Sequence, residues 1–104
     1  MDKSEAWVDA EPGVRRRILQ AQGRLMLMEV EFSAGAAGYE HQHPHEQVGI
    51  VLEGKLLFVI GGEEKLLSKG DMYRIPGNVR HRVVACEGPA KALDIFHPIR
   101  EDYR

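Results

Sequence analysis

Four side chains able to bind a metal ion stand at spacings that let them converge. His41, His43 and Gln47 lie within one short segment, and His81 follows in another. On an extended strand, residues i and i+2 point to the same face about 6.6 Å apart, so two imidazoles can lean onto one cation. Pro44 removes an amide donor and predicts a bend. Past that bend, Gln47 can return an amide oxygen to the same centre. In the second segment, Pro76, Gly77 and Asn78 predict a turn before a strand opening near Val79, on which Val79, His81 and Val83 would share one face. A lone histidine among apolar neighbours is usually a hydrogen-bonded core residue. Beside a His-x-His pair it becomes a candidate third ligand.

Three neutral imidazoles and a neutral amide leave the full double charge on a metal. Such an ion is a stronger Lewis acid than one held by a carboxylate. The set also lacks the two-histidine, one-carboxylate pattern of iron oxygenases. Imidazole-rich sites accept Zn, Ni, Mn, Fe or Cu, so the expected cofactor is one divalent transition metal ion of unspecified identity. His45 is expected behind the site or facing solvent, and His97 is expected to be structural or exposed.

The elements that must hold these groups read as strands. In the segment from Arg24 to Phe32, Met26, Met28, Val30 and Phe32 alternate with Glu29 and Glu31, the period of a half-buried strand. Glycines then punctuate runs rich in Val, Ile, Leu and Phe: Val48 to Leu52, Lys55 to Ile60 and Leu93 to Phe96. Short strands between turn signals indicate an antiparallel sandwich or barrel. Ile60-Gly61-Gly62-Glu63 reads as a tight hairpin, since Gly-Gly supplies the positive φ that such turns require. No segment has a helical period of adequate length, and the class is all-β. Met26, Met28, Leu56 and Phe58 are the expected core, with a partner surface as their other use.

With 104 residues, the chain is expected to form one domain over 1–104, with an N-terminal strand region at 1–20 and site motifs at 38–54 and 70–85. Cys86 is the single cysteine, so no internal disulfide forms and a reducing, cytoplasmic setting is expected. The acidic start MDKSEAWVDAEPG has no apolar core of a secretory signal, and no apolar run approaches the roughly 20 residues of a membrane span. A net charge of -2 with mixed signs predicts no nucleic-acid grip and no membrane attachment. Arg15, Arg16 and Arg17 form a dense basic run. It is expected on a solvated face, with the lesser alternative that one arginine reaches a carboxylate-bearing ligand.

The first segment, GYEHQHPHEQVGIVLEG, resembles the cupin pattern of glycine, His-x-His, a carboxylate and a closing glycine. His41, His43, Gln47 and Gly54 fall at those spacings. Gly38 stands close before His41, and Gln47 replaces the usual glutamate. The second segment, GDMYRIPGNVRHRVV, resembles the partner motif through Gly70, Pro76 and His81. Asn78 replaces its glycine and Ala85 its closing asparagine. Asparagine tolerates the left-handed backbone, so the turn should survive. The resemblance implies a cupin jelly-roll barrel, and a homodimer.

The chain further resembles small cupins of the KdgF type, pectin and alginate degradation proteins. The similar stretches are Trp7, PGVRR from Pro12, HQHPHEQ from His41, GDMY from Gly70, PGNVRH from Pro76 and LDIFHPIREDY from Leu93. That resemblance implies opening of 4,5-unsaturated uronates to the linear 4-deoxy-5-keto-uronate. By the match of LDIFHPIR it implies Asp94 and Arg100 as the residues of activity. Asp94 would move a proton at the enol ether, Arg100 would grip the uronate carboxylate in a two-pronged bond, and Phe96 could stack on the sugar. Each has a plainer use: Asp94 as a barrel carboxylate paired with arginine, Arg100 as a surface residue beside Glu101 and Asp102, Phe96 as core. Other readings on the same barrel are a three-histidine dioxygenase, another sugar isomerase, a non-catalytic ligand-binding module, and a metal-free scaffold.

Overall fold

The computed structural model describes residues 6–38 and 40–104. Nine strands follow in order: β1 (Val8–Glu11), β2 (Val14–Gln22), β3 (Leu25–Phe32), β4 (Glu46–Glu53), β5 (Lys55–Ile60), β6 (Glu63–Ser68), β7 (Met72–Ile75), β8 (His81–Val84) and β9 (Ala90–His97). A single 3-10 turn, Glu101–Tyr103, closes the described chain. The all-β expectation therefore holds.

The strands form a six-stranded sheet in the order β1-β2-β3-β9-β4-β7 and a three-stranded sheet in the order β6-β5-β8. All the pairings are antiparallel. β9 inserts between β3 and β4, which brings the C-terminal strand to the middle of the larger sheet. The alternation in β3 sends Met26, Met28, Val30 and Phe32 inward, where they meet Leu56 and Phe58 of β5. Phe58 also stacks against Tyr73 of β7, with ring centroids 4.2 Å apart. The expected core residues are thus core. Fully burying one such side chain contributes about 1.5–3 kcal/mol. The hairpin at Gly61-Gly62 forms as expected, with Ile60 paired to Glu63 and both glycines at positive φ.

Two expectations near the site need correction. His41 and His43 do not lie on a regular strand. His41 makes an isolated antiparallel bridge to His81, and the chain leaves extended pairing before bending at Pro44 and His45. The bend wins because Pro44 has no amide to donate. The second strand opens at His81, not near Val79, because the preceding turn is longer. Asn78 takes a left-handed φ of 63°, and its amide donates to the His43 carbonyl at 2.7 Å.

Candidate functional site

The site is assembled where an edge of the small sheet meets the inner face of the large one. Beside β8 runs a ladder of backbone bonds: Gly35 to Ala85, Gly38 to Val83, and a reciprocal pair between His41 and His81 at 3.0 and 2.9 Å. That reciprocal pair sets the two imidazoles side by side, their centroids 4.4 Å apart. His43 comes in from the loop beyond, 5.0 Å from His81 and 5.7 Å from His41 between centroids. One ring nitrogen from each of the three lies within 4.8 Å of the others. Gln47 reaches them from β4, with Oε1 3.2 Å from His43 Nε2.

The hydrogen bonds behind the rings decide what this cluster can hold. His43 Nδ1 lies 3.0 Å from the His45 carbonyl, and His81 Nδ1 lies 3.0 Å from the Val79 carbonyl. A carbonyl only accepts, so each Nδ1 carries the proton and each Nε2 presents a lone pair. Burial pushes His43 down to about 4, helped by the nearby Arg100 and His81 charges, and burial lowers His81 too. Both rings are therefore neutral near neutral pH. The Gln47 side-chain amide lowers the Asp94 pKa, as a donor nearby does, while its oxygen faces His43. Two lone-pair atoms then face each other across 3.2 Å, an arrangement a cation between them would relieve. The cluster suits a metal ion, with a backbone carbonyl orienting each of two rings.

The register of the large sheet adds the acid. Met28, Asp94, Gly49 and Tyr73 occupy one row across β3, β9, β4 and β7. The next row carries Met26, Phe96, Gln47 and Ile75. A side chain at Gly49 would overlap the Tyr73 hydroxyl and approach the Leu93 carbonyl to 2.6 Å. With no side chain there, Tyr73 reaches past Gly49 and donates a short hydrogen bond to Asp94. Asp94 is buried, and burial raises its pKa above the usual carboxylate range against the pull of Tyr73, Gln47 and Arg100.

A cavity of about 90 Å³ joins these groups, lined by His41, Gln47, His81, Asp94, Phe96 and Arg100 among others. Arg100 follows β9 and is only 6 % exposed, so it is not the surface residue its acidic neighbours could suggest. Asp102 accepts from its Nε at 3.1 Å and its Nη2 at 2.8 Å. Its Nη1 is buried with no hydrogen-bond partner among the described residues. Phe96 lies edge-on to His43 at 5.7 Å and is both core and cavity wall. His45 is half-buried behind His43 and His97 is exposed, as expected of each.

Reading the sequence did not find Tyr73 or the opening that Gly49 leaves for it. A glycine inside an apolar strand is the available signal, since it marks a close approach of other atoms. The arginine run was likewise undivided in sequence. Arg15 and Arg17 pair outward with Glu31 and Glu29, both at 2.6 Å, whereas Arg16 lines the cavity.

Comparison with known proteins agrees with this architecture. Residues 28–96 match the cupin domain family. The chain is 35% identical over 104 residues to the pectin degradation protein KdgF of Dickeya dadantii (strain 3937), covering 99% of this chain and 94% of that protein. The structure of KdgF from Halomonas sp. superposes with a TM-score of 0.90 at 36% identity, covering 100% of this chain and 96% of the other. An RmlC-like cupin from Shewanella frigidimarina NCIMB 400 does so with a TM-score of 0.90 at 34% identity, covering 100% and 93%. With its jelly-roll sheets and its histidine cluster at the motif positions, the chain belongs to the cupin family and, within it, groups with the KdgF-type proteins.

Proposed function

We propose that this protein is a metal-dependent enzyme that opens 4,5-unsaturated uronates to the linear 4-deoxy-5-keto-uronate. The observation that carries the reading is the convergence of Asp94, Arg100, His41, Gln47 and His81 on one cavity, with His43 clustered against His41, His81 and Gln47. Likeness to pectin degradation proteins supports it.

The net change is an isomerisation. The anomeric hydroxyl loses a proton, the bond from C1 to the ring oxygen breaks, and the resulting enol becomes a ketone as C4 gains a proton. A bound divalent ion, held by His41, His43, Gln47 and His81, would polarise substrate oxygens and fix the ring. Arg100 offers its unpaired Nη1 to the carboxylate on C5. That carboxylate neighbours C4, and Arg100 is close enough to act on Asp94 electrostatically. Asp94, whose pKa burial raises above the usual carboxylate range, would pass a proton to C4. Phe96 forms an apolar wall for the sugar.

The test uses metal-loaded protein and unsaturated monouronates made by a pectate or alginate lyase, with ultraviolet loss of the conjugated double bond as signal. Loss is expected well above the spontaneous rate, abolished by chelation and reduced at least about a hundredfold by Asp94→Ala, the scale of a general acid. No acceleration with metal bound would sink the assignment.

We further infer a homodimer acting in the cytoplasm. Val48 and Met72, 41% and 76% exposed, lie beside Ile50, Leu93 and Ile95 on the outer face of the large sheet, a surface suited to a second copy. Sedimentation giving a monomer mass would refute the pairing.

A further inference from the structure

Of three consecutive arginines, the middle one points where the other two do not. Arg16 shares its strand face with Val14 and Ile18, both buried. Arg15 and Arg17 face outward, ion-paired with Glu31 and Glu29, and both lie against Trp7 at 4.5 and 4.7 Å from its ring centroid. Arg16 is half-buried and lines the same cavity as His41, Asp94 and Arg100.

Its guanidinium carbon sits 4.1 Å from the Tyr103 ring centroid, and that of Arg100 sits 4.0 Å from the same centroid. Tyr103 thus holds two permanent cations at one end of the cavity. Asp102 engages two nitrogens of Arg100 and leaves Nη1 buried with no hydrogen-bond partner among the described residues. Glu11, another charged lining residue, stands on β1 opposite Val14 of Arg16's own strand, with its carboxylate reaching toward Gly38. Both guanidinium groups contact the same ring and line the same cavity, and like charges so placed repel each other. An anion there relieves that repulsion and supplies the acceptor that Nη1 lacks.

We propose that Arg16 determines substrate specificity: with Arg100, and with Tyr103 as shared platform, it forms a two-guanidinium clamp on a ligand carboxylate. This rests on the uronate reading and names the residue that separates uronates from neutral sugars.

The test is calorimetric binding of galacturonate and of its methyl ester to metal-loaded full-length protein. Wild type is expected to prefer the acid by about tenfold or more, the scale of one charge-assisted hydrogen bond. Arg16→Met and Arg16→Gln are each expected to reduce that preference about tenfold, while the outward Arg17→Met leaves it unchanged. Should the Met variant fail to fold, the Gln variant decides. A preference retained in the Arg16 variants, or none in wild type, overturns the clamp. The outcome is separable from ring opening: a clamp with no acceleration of unsaturated uronate loss sinks the enzymatic reading alone. Acceleration with selectivity untouched by Arg16→Met sinks the clamp alone.

Discussion

Tyr73 shows how one residue can set the chemistry of another. Its hydroxyl donates to Asp94 inside the barrel, and burial first, then the Asp94 charge, raises the Tyr73 pKa well above 10.0. A group whose folded pKa is raised contributes stability that is complete below its unfolded value. That contribution is lost as pH rises from about 10 toward the folded value, by about 1.4 kcal/mol per unit. In paired denaturation curves, Tyr73→Phe is expected to remove this alkaline decline relative to wild type. Below pH 9 the same variant should lower kcat about tenfold with KM little changed, since it frees a buried carboxylate from a charge-assisted bond of about 1.5–3 kcal/mol. An equal rise in KM would mean that Tyr73 shapes binding and does not position the acid.

At the scale of elements, the turn between β7 and β8 holds up the histidine cluster from outside. Asn78 donates to the His43 carbonyl at 2.7 Å, and Gly77 packs so closely that a side chain there would meet the Pro44 carbonyl at 2.5 Å. The two motifs therefore brace each other through backbone as well as through imidazoles. Gly77→Ala touches no candidate ligand, yet it must displace the loop carrying His43. Zinc affinity, read by competition with a chromophoric chelator, is expected to fall about 10- to 100-fold, as when groups supporting a ligand are lost. Unchanged affinity would show that the loop relaxes freely. β9 does a different job: its central place between β3 and β4 lets one strand carry Asp94 and Phe96 inward and lead directly to Arg100.

For the whole molecule, a metal ion held by the proposed site would couple to stability. The three histidines come from two separated segments of the chain, and an ion that binds them only when folded adds RT ln(1 + [L]/Kd) to stability. At a hundredfold excess over Kd this is about 2.7 kcal/mol, or about 10 °C or more in Tm for a domain near this size. Chelation is expected to lower Tm by that amount in wild type and by nothing in a His41→Ala/His81→Ala variant. A chelation effect surviving in that variant would place the metal elsewhere. Among the described residues no helix is long and apolar enough to cross a membrane, and the fold is instead two sheets closed on an apolar core.

The amino-acid order by itself determined the class, because period-two alternation in β3 and the Gly-Gly hairpin are local signals. It also determined the metal candidates, because His41, His43, Gln47 and His81 sit at recurring motif spacings. Register decided the rest. Asp94 turns inward because it pairs with Met28 on one side and Gly49 on the other, and Tyr73 reaches it only because Gly49 has no side chain. The strand expected under His41 and His43 gave way to a bridge and a bend once Pro44 and the Asn78 contact were in place. Arg16 separates from Arg15 and Arg17 by strand parity, visible in sequence only to a reader who already knows which face of β2 is buried. Which face that is depends on β3, β9 and the closing turn at Tyr103, contacts distant in the chain that only the folded barrel brings together.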